Sequence, residues 1–190
     1  MNGIVVIEGH GEVEAVVNLL TRLTDDLGLP RIHWRPPIRK AVTSERVAIE
    51  VANIVRIRKN IACLLVLRDE DDGCPKVTGP ELALWLANAN LPFPAAATLL
   101  HREYEALFLP CVSIMAGKNL RHGAITTAGL LPGTEFCGDP ESIRDVKGWL
   151  TRRFPPGRSY RPTTDQLPLT DMESRLSRGA SRISCLLLVC

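Results

Sequence analysis

Six consecutive apolar residues, Ala62-Cys63-Leu64-Leu65-Val66-Leu67, run directly into Arg68-Asp69-Glu70-Asp71-Asp72-Gly73, and this junction constrains the fold more than any other feature of the chain. An apolar run without alternation marks a strand covered on both faces, the situation of a central strand in a parallel sheet flanked by helices. Four carboxylates at its end cannot be buried with it, so the chain must leave the sheet there. In open α/β sheets that exit, beyond the carboxyl ends of the strands, is where ligands bind. With 190 residues, 45% of them hydrophobic, there is enough apolar material to bury such a sheet in one domain.

The rest of the chain repeats the pattern. Ile4-Val5-Val6-Ile7 is a β-branched apolar run closed by Glu8-Gly9-His10-Gly11, and Val13, Val16, Val17, Leu20, Leu23 and Leu27 follow at helical spacing up to Gly28. Residues 32–38 are expected to form a second strand, held to a sheet edge by Pro36-Pro37. Thr43 or Ser44 is placed to cap a helix reaching about Lys59. Residues 81–90 read as a helix and 95–100 as a strand, followed by His101-Arg102-Glu103-Tyr104-Glu105 leading into a short helix. Beyond about Pro110 the chain is rich in Gly and Pro, with one helix expected over 140–153 and a basic, irregular tail. The fold class expected is α/β, a mostly parallel central sheet flanked by helices. Residues 1–109 form its core, and 110–190 form a helical and irregular extension packed on the same domain.

Several classes are disfavoured. No stretch approaches the roughly 18 apolar residues of a membrane span, and Met1-Asn2-Gly3-Ile4 resembles no leader, so the expected location is cytoplasmic. Cys63, Cys74, Cys111, Cys137, Cys185 and Cys190 lack C-x-x-C spacing, which argues for reduced thiols filling the core and against structural zinc. Gly9-His10-Gly11 has neither the lysine nor the spacing of a P-loop, so nucleotide hydrolysis by this chain is not expected. The formal net charge of +2 conceals local sorting: residues 31–59 carry eight basic and two acidic side chains, and 144–182 carry nine basic and four acidic. Carboxylates between basic segments suit a cation site that handles a polyanion, although solvated helix faces produce the same count.

Magnesium and manganese take hard oxygen ligands, and phosphoryl-transfer sites supply them as carboxylates from separate strand ends. Asp69 and Asp71, at i and i+2 of an extended segment, would project to one side. Glu8 ends the first strand, and Glu12 stands one helical turn beyond the glycine turn. As isolated residues Glu8 and Glu12 would be read as charges favoured by a helix dipole; coupled to D-x-D at the next strong strand they favour a metal site. Glu103 and Glu105 close the third carboxylate-ended strand. Lys118 and Lys147 read as surface lysines, and His10 as either a phosphate contact or a solvated loop residue.

Ile4-Val5-Val6-Ile7-Glu8-Gly9 with Glu12, followed by Leu64-Leu65-Val66-Leu67-Arg68-Asp69-Glu70-Asp71, resembles the Toprim domain, the Rossmann-like metal-binding fold of topoisomerases, primases, recombination mediators and OLD-type nucleases. More narrowly, residues 69–75, His101-Arg102-Glu103-Tyr104-Glu105-Ala106 and Tyr160-Arg161-Pro162-Thr163 resemble a bacterial family of small Toprim-like proteins often encoded beside an AAA-type ATPase. The narrower family usually carries Trp where this chain has Leu107. The resemblance implies a Mg²⁺- or Mn²⁺-dependent nuclease acting on nucleic acid, DNA foremost, in defence or repair with an ATPase partner. Glu8, Asp69 and Asp71 would be its metal ligands, and Glu12 with Glu103 or Glu105 would assist, the choice between the last two staying open. A non-catalytic subunit docking on the ATPase is the alternative, and the oligomeric state is open.

Overall fold

In the computed structural model, residues 1–176 are described, with side chains to residue 172. In chain order the elements are β1 (Asn2–Ile7), α1 (Glu12–Asp26), β2 (His33–Trp34), β3 (Ile38–Arg39), α2 (Glu45–Arg56), β4 (Ile61–Asp69), α3 (Pro75–Asn88), β5 (Ala95–Leu100), α4 (Val112–Met115), β6 (Leu120–His122), β7 (Ile125–Thr127), α5 (Val146–Thr151) and α6 (Pro162–Leu176). A 3₁₀ segment, Tyr104–Cys111, joins β5 to α4. The protein is an α/β domain whose five-stranded sheet has the order β2-β1-β4-β5, with β3 also on β1. All pairings in it are parallel.

Alternation along β1 divides the core. Val5 and Ile7 pack under α1, the 3₁₀ segment and α6, with Leu67, Phe108, Leu150 and Leu169. Ile4 and Val6 face the other way, with Leu64 and Val66 of β4, against α2 and α3 through Val51, Val55, Leu82 and Leu86. Successive strand side chains point to opposite faces, so a strand with a core on each side has no place for polar alternation. That is the cause of the continuous apolar run 62–67.

Several boundaries differ from expectation. Residues 32–38 form two short strands, β2 and β3, interrupted by Pro36-Pro37, both on the outer side of β1. Ser44 is the N-cap of α2, accepting from the Val47 N–H at 3.4 Å. Helix α3 starts earlier than residue 81, with Pro75 in its first turn, where a missing N–H costs nothing. The helix expected over 140–153 is a 3₁₀ turn, Pro140–Ser142, and then α5, capped by Asp145 through the Gly148 N–H at 2.7 Å. The tail expected to be irregular contains α6, which packs along α1 and is tied to it by the Arg22–Asp171 ion pair. Of the described cysteines, Cys74 and Cys137 are exposed and Cys63 and Cys111 half-buried, so none is a fully buried core filler. Cys185, Cys190 and the apolar stretch 181–190 lie outside the described residues. Among the described residues no helix is long and apolar enough to cross a membrane.

Two chain segments meet closely beside the β1–α1 turn. A Cβ on Gly11 would lie 2.6 Å from the backbone of Pro162, at the start of α6. Gly11→Ala must push this turn and α6 apart. The variant is expected to lose about 1–3 kcal/mol, the usual cost of overpacking, measured by urea unfolding.

Candidate functional site

Strands β1 and β4 are parallel neighbours, with Val6 opposite Val66, so their carboxyl ends emerge side by side. There Glu8, Glu12, Asp69, Glu105 and Lys147 line a cavity of ≈ 420 Å³, within the roughly 300–1,000 Å³ of small-molecule sites. Its other wall is the N-terminal part of α6 with Pro162, Thr163 and Gln166.

Each acidic residue is held differently. Glu12, 7% exposed, folds back over the glycine turn and accepts from the N–H groups of Glu8 (3.2 Å) and Gly9 (3.1 Å). A Cβ on Gly9 would meet this carboxylate, so a side chain there would displace Glu12 from the turn. Burial raises the Glu12 pKa, and the two backbone donors oppose the rise. Glu8 is raised by burial and then by the charge of Glu12. Asp69 Oδ1 accepts from the Tyr104 N–H at 3.1 Å. Burial, then the charges of Glu12 and Glu105, push its pKa up to about 8.

The 3₁₀ segment after β5 separates the roles of Glu103 and Glu105. Glu103 accepts from the N–H groups of Val146 (2.8 Å) and Lys147 (3.3 Å) and so caps α5. Glu105, 1% exposed, is the one that reaches the cavity. It accepts from the Tyr160 hydroxyl at 2.9 Å and lies 3.1 Å from Lys147 Nζ, which also pairs with Glu103. Burial raises the Glu105 pKa despite Lys147. Lys147 is thus no free surface lysine but the counter-charge of two buried carboxylates.

Asp71 lies elsewhere. Strand β4 ends at Asp69, so the shared projection of residues i and i+2 is lost. Asp71 sits on an exposed loop, near enough to Glu8 to help raise its pKa, but it does not line the cavity. Between them, Glu70 pairs with Arg68 and accepts from the Gly73 N–H at 3.1 Å, shaping the loop. Arg102 donates to the Asp71 carbonyl at 3.0 Å and holds the loop from outside. At the cavity mouth Arg39 Nη1 donates to His10 Nδ1 at 2.6 Å, so one residue of the first basic stretch stands at the rim. Tyr160, Thr163 and Gln166 were not singled out by chemistry in the sequence; the resemblance of Tyr160-Arg161-Pro162-Thr163 touches the first two, and nothing touches Gln166.

Among the described residues no three His, Cys, Asp or Glu side chains are arranged as a ready-made metal cage. The donor chemistry nevertheless fits a hard divalent ion. The lining carboxylates outnumber the lining cations, and burial together with Glu12 and Glu105 outweighs Lys147 and pushes the Asp69 pKa up to about 8. A bound cation reverses that balance and replaces the proton. No protein-family model, curated protein or solved structure matches this chain.

Proposed function

We propose that this protein is a Toprim-type phosphodiester hydrolase that uses Mg²⁺ or Mn²⁺ to cut nucleic acid, DNA foremost. The observation that carries the reading is the convergence of Glu8, Glu12, Asp69 and Glu105 with Lys147 on one cavity beyond β1 and β4. Glu8 and Asp69 would hold the metal, with Asp71 entering from its loop, and the metal would polarise the phosphoryl oxygen and acidify a bound water. Glu12 fixes the glycine turn from which Glu8 emerges. Tyr160 and Lys147 orient Glu105, and Glu103 holds α5 so that Lys147 points inward. Action in defence or repair beside an AAA-type ATPase rests on the resemblance alone.

The test is incubation with plasmid, linear duplex and RNA under Mg²⁺ and under Mn²⁺, with EDTA as control. Metal-dependent cleavage of at least one substrate is expected; no product from any combination counts against the reading. The exposed Arg35 and Arg39 belong to the surface that would meet the backbone. Reversing both to Glu is expected to weaken nucleic-acid binding regardless of sequence. It should also flatten the slope of log K against log salt by roughly 1.5, since each phosphate contact releases counterions. Fluorescence anisotropy across a salt series measures both effects.

A further inference from the structure

A cavity lined by four carboxylates has a difficulty with any phosphate. Its one lining lysine, Lys147, is committed to Glu103 and Glu105, so the acidic wall alone repels the anion that the proposed reaction must admit. The opposite wall is built differently. Helix α6 opens at Pro162, which has no N–H, and the Asp165 and Thr164 N–H groups turn back to the Arg161 carbonyl at 2.8 and 3.1 Å. Asp165 closes this end by accepting from the Arg161 N–H at 2.8 Å. Thr163 keeps both its N–H and its hydroxyl without a hydrogen bond among the described residues and lines the cavity. One turn on, Gln166 is 2% exposed and lines the same cavity. Its side-chain amide makes no hydrogen bond among the described residues, while its backbone carbonyl accepts from Thr170. Its amide thus faces the cavity with hydrogen-bonding capacity that a ligand there would use.

We infer that the N-terminal part of α6, with the Thr163 N–H and hydroxyl and the Gln166 amide, is a phosphate-binding wall that seats a backbone phosphate of the substrate opposite the carboxylates. Neutral donors at the positive end of a fifteen-residue helix attract an anion without adding a cation that would compete with the metal. The wall deepens the function proposed above and rests on it for the identity of the substrate. It divides the cavity into a side that holds cations and a side that holds phosphate.

The experiment is a titration of the metal-free full chain with inorganic phosphate, followed by ¹⁵N–¹H NMR. Saturable shifts are expected at the Thr163 amide and at the Gln166 side-chain NH₂. Gln166→Leu, similar in volume, is expected to weaken phosphate binding about tenfold, the effect of one hydrogen bond to a charged group, with the remaining spectrum showing an intact fold. Asp69→Asn should bind phosphate at least as tightly as the wild type, because the amide adds no charge to the cavity, although it lacks the proposed metal chemistry. Failure of nuclease activity with the phosphate shifts intact would leave the wall standing. Shifts confined to other residues, or equal affinity in Gln166→Leu, would overturn it.

Discussion

Asp69→Asn is expected to abolish metal-dependent cleavage while raising the melting temperature of the metal-free protein. The two effects have one origin. Asp69 is buried among Glu12, Glu105 and Glu8, and its carboxyl keeps its proton to about pH 8 instead of the ordinary 3.8. Between those values the unfolded chain has released the proton and the folded chain has not. Stability therefore falls as pH rises through the window and levels off above it, because the folded state binds the extra proton. An amide neither ionises nor repels, so the variant should lose less stability than the wild type as pH is raised from about 5 to 8. Mn²⁺ should reverse the ranking: it stabilises the wild type by mass action and barely affects the variant. Thermal melts with EDTA and with Mn²⁺, at several pH values, read the whole pattern. Equal metal response in both proteins would remove Asp69 from the metal site and the proposed function with it.

Lys147→Met is expected to be the more damaging change to the fold. It strips the counter-charge from Glu105 and Glu103, which are 1% and 8% exposed. Breaking a buried pair from one side costs about 3–5 kcal/mol. The Lys147 side chain is itself 43% exposed, so water screens part of the interaction and about 2–3 kcal/mol is the reasonable expectation. Glu105→Gln in the same chain should restore much of the loss, since the amide can still accept from Tyr160 without stranding a charge. Urea unfolding of the two single variants and the double variant gives the coupling directly. Additive losses would mean that the pair does not hold this end of the cavity together.

The parts of the site visible in the sequence are those written in strand ends. Glu8 and Asp69 each follow an apolar run, and a parallel sheet sets the ends of neighbouring strands side by side. The D-x-D spacing misled because it assumed that β4 continues past Asp69. The chain turns there, with Glu70 drawn to Arg68, and Asp71 leaves the line of the strand. Glu103 and Glu105 were indistinguishable as text because their difference is tertiary: one meets the free N–H groups of α5, the other the hydroxyl of Tyr160. Helix α6 escaped notice because Pro162 and Pro168 punctuate it, and prolines argue against a helix unless they fall where no N–H is missed. Gln166 carries no signature, since a lone glutamine gains meaning only from what surrounds it.

The cavity draws its carboxylates from the first 105 residues and its lysine, hydroxyl and amide from residues beyond 146. During synthesis the acidic strands are therefore available long before the groups that balance and close them. A chain stopped after β5 and the 3₁₀ segment carries Glu8, Asp69 and Glu105 but neither Lys147 nor the turn of α6. Under the proposed function, cleavage of nucleic acid would therefore wait until α6 has docked. In a hydrolase of the proposed kind, the late synthesis of these groups would act as the safety catch.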